Sequence, residues 1–239
     1  MPTRDFTIQT LAKYLHLDPQ QVTRLADRGK LPGRKVGGQW RFTQAEIHHW
    51  LEQRIGLGDE EGLAQVEGVL ERTTAAGQHG PPLSLAELLP SEAVSVPLQA
   101  RTRNSVIASV IDLAAGTGWL WDPPRMAEAI QERERMYPTA QDNGVALLHP
   151  RRPMSNILGQ AFICLGVTPN GIPFGGGGSG LTDVFFLICS VEDRGHLEAL
   201  SRLSRVIGAA GFLEQLRATP DAKTARSLVL QTEADLAGS

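Results

Sequence analysis

The chain has 239 residues, 41% of them apolar and 21% charged, with a formal net charge of −3. That length suits two domains better than one, and the composition is that of an ordinary globular protein rather than a disordered or fibrous chain. No uncharged apolar run approaches the roughly 20 residues of a membrane helix, and Met-Pro-Thr-Arg-Asp-Phe lacks the apolar core of a secretory signal, so a cytoplasmic protein with no membrane partner is expected.

Charge is unevenly spread. Residues 1–54 carry nine Lys or Arg against five Asp or Glu, a balance of +4, and the remainder carries −7. A basic head on an acidic body predicts two domains with different partners. Cys164 and Cys189 lie in separate apolar runs without CxxC spacing, which fits buried, reduced thiols and offers no zinc site; no metal and no cofactor are expected.

In the head, the spacing of Ile8, Leu11, Ala12 and Leu15 predicts a short helix. After a turn at His16-Leu17, Asp18 is an N-cap and Pro19 the first residue of a second helix, Pro19–Arg28, which buries Val22 and Leu25 and ends at Gly29. Two short helices across a tight turn make a helix-turn-helix. Gly37-Gly38 between extended arms predicts a two-residue hairpin turn, since glycine accepts positive φ. Thr43-Gln-Ala-Glu46 is a capping box opening a third helix with Ile47, Trp50 and Leu51 inward.

Between Arg28 and Arg41 stand five bases, Arg28, Lys30, Arg34, Lys35 and Arg41, and no acid. A basic hairpin beside a helix suits DNA phosphates, while Gln20, Gln21, Thr23 and Arg24, early in the second helix, are candidates for base-edge contact. Thr7–Leu51, and LPGRKVGGQWRF in particular, resembles the excisionase and MerR-like winged helix domains. The resemblance implies DNA as a partner.

Six glycines and then Pro81-Pro82 fall in residues 55–82, which predicts a linker between a winged helix domain at 1–54 and a second domain at 83–239. Gly62–Thr73, with Leu63, Val66 and Leu70 on one stripe, is compatible with a short helix inside it. From Leu83 onward, helical stripes alternate with apolar runs. Ile107, Val110, Ile111 and Ala114 form one stripe, and Met126, Ala129 and Ile130 a second. Gly144–Leu148, Ala161–Val167 and Asp183–Ser190 read as strands, and 196–207 and 221–236 as helices. The expected class is α/β (α+β overall), with helices on both faces of a sheet.

Arg133 continues the apolar stripe of the second helix. Position alone favours a side chain that snorkels to the rim over one aimed at an anion. Asn143-Gly144 is a turn, and Val145–Leu148 delivers His149 at a strand end that Pro150 terminates. An inward Arg with a strand-end His is a candidate phosphate-handling pair: neutral imidazole attacks phosphorus while Arg stabilises the equatorial oxygens. His196 lies near the start of a helix, where backbone N–H groups favour an anion. The glycine-rich run Gly171–Gly180 reads as a flexible connection.

These residues carry a second resemblance. Leu83–Gly208 is similar to the enzyme IIA domain of the sugar phosphotransferase system, fructose–mannitol type, which includes the nitrogen-related IIA proteins. The register is RERMYPTAQDNGVALLHP, with Arg133-Glu134, Thr139, Asn143-Gly144 and His149 matching the family pattern. GHLEALSRLSRVI matches the family's HL-containing helix. The resemblance implies a mixed sheet, a phosphorylated His149, Arg133 as its charge partner and His196 as the second histidine. It also implies an HPr-like phosphocarrier as donor. Leu148 stands where the family usually has proline, and Asp142 is expected to bring a negative charge close to an incoming phosphate.

Together these readings predict a DNA-binding transcriptional regulator that senses phosphotransferase status by phosphorylation of His149. The alternatives are a phosphocarrier passing phosphate to a IIB domain, with histidine phosphotransfer as its enzymatic step, and a IIA fold without chemistry that binds proteins. A homodimer is compatible with a single small winged helix contacting one half-site.

Overall fold

The computed structural model describes residues 5–15, 17–44, 46, 47, 49–51, 84–175 and 180–238. The linker expected at 55–82, including Gly62–Thr73, lies outside them. The chain divides into two compact units, residues 1–81 and 82–239.

In the first unit α1 (Ile8–Leu15) and α2 (Pro19–Asp27) form the two helices expected. Asp18 accepts from the Gln20 backbone N–H at 2.7 Å, and Gln21 reaches back to the Asp18 N–H at 3.1 Å, so the cap of α2 is reciprocal. Leu11, Ala12, Leu15, Val22 and Ala26 are buried. Leu25, expected inward, is only half-buried; Ala26 takes the inner position of the last turn.

β2 (Arg34–Val36) and β3 (Gln39–Thr43) pair antiparallel around Gly37 and Gly38, whose φ of 58° and 77° make the turn one that only glycine adopts without strain. A strand not foreseen, β1 (Asp5–Phe6), adds to the other edge of β3. The described residues of 44–51 are helical. Thr43 Oγ1 accepts from the Glu46 N–H at 3.2 Å, and Ile47 and Leu51 are buried beneath.

The second unit is built on a four-stranded sheet in the order β4 (Val94–Ser95), β6 (Phe162–Pro173), β7 (Leu181–Cys189), β5 (Val145–Leu148). β6 and β7 are antiparallel, while β5 runs parallel to β7 and β4 parallel to β6. The sheet is therefore mixed.

Alternate residues divide the core between the two faces. Ala146, Leu148, Phe162, Cys164, Phe185, Leu187 and Cys189 share one cluster with the inward stripes of α4 (Arg103–Gly116) and α5 (Pro123–Met136). Leu147, Ile163, Leu165, Phe186 and Ile188 are equally buried on the other side, as are Leu197, Leu200 and Leu203 of α6 (Asp193–Gly208), which packs on β7. Both faces covered is why these runs are apolar without alternation.

A short helix, α3 (Leu85–Leu88), opens the unit, and α7 (Phe212–Arg217) and α8 (Ala222–Ala237) close it. Glu233 of α8 accepts from the Leu85 N–H at 3.0 Å and from Arg202 Nη1 at 2.8 Å, tying α8 to α3 and α6.

The glycine-rich run is not one loose connection. β6 continues through Pro173, with Ile172 opposite Thr182 and Pro173 opposite Leu181 after a register shift beyond Val167. At Gly171 a Cβ would fall 2.5 Å from the Leu181 Cβ, so glycine there lets the two strands close. Residues 176–179 lie outside the described residues. Among the described residues no helix is long and apolar enough to cross a membrane.

Candidate functional site: a histidine pair at the ends of parallel strands

The parallel pairing of β5 with β7 places Leu148 opposite Leu187. Both strands then end on the same side of the sheet. His149 follows β5 directly, Ser190 follows β7, and His196 stands in the first turn of α6. The crevice beyond the carboxyl ends of parallel strands is where open α/β sheets bind ligands.

The two imidazoles meet there, with ring centroids 5.0 Å apart and planes 56° to each other. His149 is 3% and His196 5% exposed, and the Nε2 atoms of both are shielded from solvent.

His149 Nδ1 lies 2.8 Å from the Leu147 carbonyl oxygen. A carbonyl only accepts, so Nδ1 carries a proton, and in the neutral ring Nε2 holds the lone pair. His196 Nδ1 lies 3.1 Å from Ser190 Oγ, a partner that sequence reasoning missed. A serine closing an apolar strand gives no signal until the following helix turns back over it.

Arg133 is 7% exposed, so it does not snorkel. Its Nη1 donates to the Tyr137 carbonyl. The segment after α5 returns antiparallel along β5: Ala140 bridges Ala146, and the Gln141 N–H donates to the Val145 carbonyl at 2.8 Å. Arg133 is thereby tied to the segment that leads into the return along β5.

Glu134 next to it is 1% exposed. It accepts from the Thr139 N–H at 3.1 Å, the Thr139 hydroxyl at 2.5 Å and Arg103 Nη2 at 3.3 Å. Burial pushes its carboxyl above the usual range, against the opposing pull of Thr139, Arg103 and Arg133. The Arg-Glu and Thr of the sequence pattern are thus one knot that shapes the 137–142 return.

At the other end of β5, Gly144 has φ 86°, and Arg217 donates to the Asn143 carbonyl at 2.7 Å and to Asp183 at 2.8 Å. This clamp fixes where the strand begins.

Two departures from the family pattern find physical explanations. Asp142 is exposed and precedes the start of β5, whereas His149 follows its end. A four-residue strand separates them by roughly 13 Å, so the expectation that Asp142 crowds an incoming phosphate is corrected. Leu148 points into the α4–α5 core, opposite to the face taken by Leu147 and His149. Arg151 and Arg152, by contrast, are exposed directly after the histidine. Among the described residues no three His, Cys, Asp or Glu side chains group so as to hold a metal ion.

In the first unit the predicted contact residues fall into two kinds. Gln20, Arg24, Arg28, Lys30, Arg34 and Lys35 are exposed. Gln21 is engaged in the cap, Thr23 Oγ1 donates to the Pro19 carbonyl at 2.8 Å, and half-buried Arg41 donates to Gln39 at 3.1 Å. Lys35 sits 3.5 Å from Asp27 and 5.0 Å over the Trp40 ring, and Arg34 3.5 Å from Asp5, pairings weak enough at the surface to yield to phosphates.

A mixed four-stranded sheet covered on both faces, with paired histidines beyond its parallel strands, defines an enzyme IIA fold preceded by a helix-turn-helix. The comparisons make the assignment specific. Residues 87–231 match the family model of the phosphoenolpyruvate-dependent sugar phosphotransferase system, EIIA 2, and the chain belongs to that family; residues 6–55 match a helix-turn-helix domain.

The chain is 26% identical over 136 residues to the fructose-specific EIIABC component of Bacillus subtilis, covering 56% of this chain and 21% of that protein. It is 28% identical over 134 residues to the multiphosphoryl transfer protein of Rhodobacter capsulatus, covering 56% and 16%. The chain thus spans about a fifth of the curated relatives it matches. In fold it is similar to IIA mannitol from Escherichia coli, with TM-score 0.52 and 17% identity over 59% of this chain and 97% of that one. It is similar as well to the nitrogen regulatory protein IIA-Ntr from Neisseria meningitidis, with TM-score 0.51 and 20% identity over 61% and 99%.

Proposed function

We propose that the protein is a transcriptional regulator whose winged helix at 1–54 binds DNA and whose IIA unit, beyond a linker at 55–82, reports phosphotransferase status through a phosphoryl group on His149. The observation that carries this reading is the histidine pair, with His149 held as the tautomer whose Nε2 is nucleophilic. The helix-turn-helix supports the DNA half of it.

The donor is an HPr-like phosphohistidine protein. The lone pair of His149 Nε2 forms the new N–P bond as the donor's N–P bond breaks and its electron pair returns to the donor ring. Positive charge gained by the His149 ring is stabilised at Nδ1–H by the Leu147 carbonyl, and Arg133 with Arg151 and Arg152 favours the anion. Because Nε2 is shielded, docking of the donor has to displace the side chains over it. The phosphoryl group adds about −1.5 to −2 charges near neutral pH, by analogy with other phosphorylated residues, and this changes how the IIA unit engages a charged partner.

The test is transfer of labelled phosphate from phospho-HPr to the wild-type chain and to His149→Ala, beside an acceptor known to work. Acid-labile label on the wild type alone supports the reading. Absence of label there favours the second reading, a IIA fold that only docks on proteins, for which the shielding of both Nε2 atoms is the argument. Label that passes on to a IIB domain, with equal DNA affinity for the two forms at every salt concentration, favours a carrier instead of a sensor.

A further inference from the structure

We propose that Ser190 is a positioning residue that holds His196 with its proton on Nε2, so that the two rings of the pair take opposite parts. The proposal rests on the phosphoryl-acceptor reading of His149 and names how the second histidine serves it.

The Ser190 backbone is fixed on two sides. It directly follows β7, and its carbonyl accepts from the Met154 N–H at 3.0 Å, in the segment that leaves His149. The side chain is 3% exposed, and its hydroxyl lies 3.1 Å from His196 Nδ1.

A buried hydroxyl proton needs an acceptor, and among the described residues the one this hydroxyl meets is the ring nitrogen. When Ser190 donates, Nδ1 holds the lone pair and the proton of the neutral ring sits on Nε2. His149 has the reverse arrangement, because the Leu147 carbonyl takes the proton of its Nδ1.

With ring centroids 5.0 Å apart and both Nε2 atoms buried, one imidazole of the pair then carries a lone pair and the other an N–H donor. The first is what attacks phosphorus. The second is what a phosphoryl oxygen needs once it arrives. Without the hydroxyl, the His196 tautomer is free to invert, and an inverted ring sets a second lone pair against the anion. If His196 takes up a proton, the serine rotates and accepts, so a single hydroxyl serves both charge states.

The experiment has two arms on the full chain. In the first, long-range nitrogen–proton correlation spectra are recorded at about pH 8.5, above the ordinary imidazole range. The expected wild-type result is His196 protonated at Nε2 and bare at Nδ1, and a wild-type His196 protonated at Nδ1 overturns the proposal. Ser190→Ala is expected to shift the His196 Nδ1 signal toward a mixture of tautomers while leaving His149 unchanged.

The second arm follows phosphate transfer. Ser190→Ala is expected to slow it about tenfold, one hydrogen bond's worth, with donor KM within about twofold and Ser190→Thr restoring most of the rate. An unchanged rate in Ser190→Ala overturns the positioning role. The spectra need no phosphate, so a chain that accepts none yet shows the expected tautomers refutes the function proposed above and not the assignment of the hydroxyl.

Discussion

The two units put their chemistry in opposite places. In the helix-turn-helix unit Gln20, Arg24, Arg28, Lys30, Arg34 and Lys35 are exposed, and the interior serves only to hold them up. In the IIA unit the histidines, Arg133 and Glu134 are buried, and each is held by a backbone carbonyl or a neighbouring side chain. A surface that reads a polyanion needs charge density and tolerates mobile side chains. A site that accepts a phosphoryl group on one nitrogen needs a fixed tautomer and fixed donors. Substitutions should therefore act on the first unit through the number of charges removed, and on the second through how directly the residue holds the reacting ring.

After the loss of label expected of His149→Ala, the largest effect should come from the surface charges taken together. Replacing Arg28, Lys30 and Lys35 with Ala should weaken DNA binding on the order of a hundredfold and lower the slope of log affinity against log salt by about three, while phosphate acceptance stays unchanged. Filter or anisotropy titrations over a salt series measure this, and a slope equal to wild type breaks the contrast from the DNA side.

Next in size is Arg217→Ala. It removes the clamp on the Asn143 carbonyl and the Asp183 carboxylate and should cost about 1–3 kcal/mol of IIA-unit stability in denaturant titration. Binding of DNA by the first unit should be untouched.

Glu134→Gln separates the two kinds of site by pH. The folded state holds the Glu134 proton to higher pH than the unfolded chain does, so the stability attached to it is present below the ordinary value of 4.5 and is lost as pH rises through the raised value. The melting temperature of the wild type should thus fall relative to Glu134→Gln on going from acid to neutral pH. A constant difference refutes the burial effect.

The smallest effect should be that of Asp142→Asn, which should leave the rate of phosphate acceptance within about twofold because the strand holds that carboxylate roughly 13 Å from His149. A large increase would restore the sequence-based expectation that Asp142 repels phosphate.

Much of the fold is legible in the sequence wherever one local rule decides. Asp18-Pro19 starts α2, Gly37-Gly38 turns the hairpin, and the spacing of Met126, Ile130 and Arg133 puts the three on one helix face. Position alone points Arg133 toward the rim; the deciding contact, the Tyr137 carbonyl, is offered where α5 ends and the chain turns extended at Tyr137. Asp142 looks nearer to His149 in the sequence than in the fold, because seven residues of separation do not say that a strand carries one end away from the other. β1 is two residues long and is created by its partner, and β6 outruns its apolar stretch because Leu181 and Thr182 offer it a ladder. Ser190 carries no pattern of its own, since its role depends on the turn between β7 and α6.

One pair of residues provides a clock for the sheet. Cys164 and Cys189 lie in the same cluster on adjacent strands, unoxidised and fully enclosed, and burial pushes both thiols well above their usual range. An alkylating reagent reaches them only when the strands part, so the rate of labelling counts openings of β6 and β7 in the native population. Cys189 stands immediately before Ser190. Its labelling rate, followed with and without phosphate on His149, measures how firmly an occupied site holds the sheet shut.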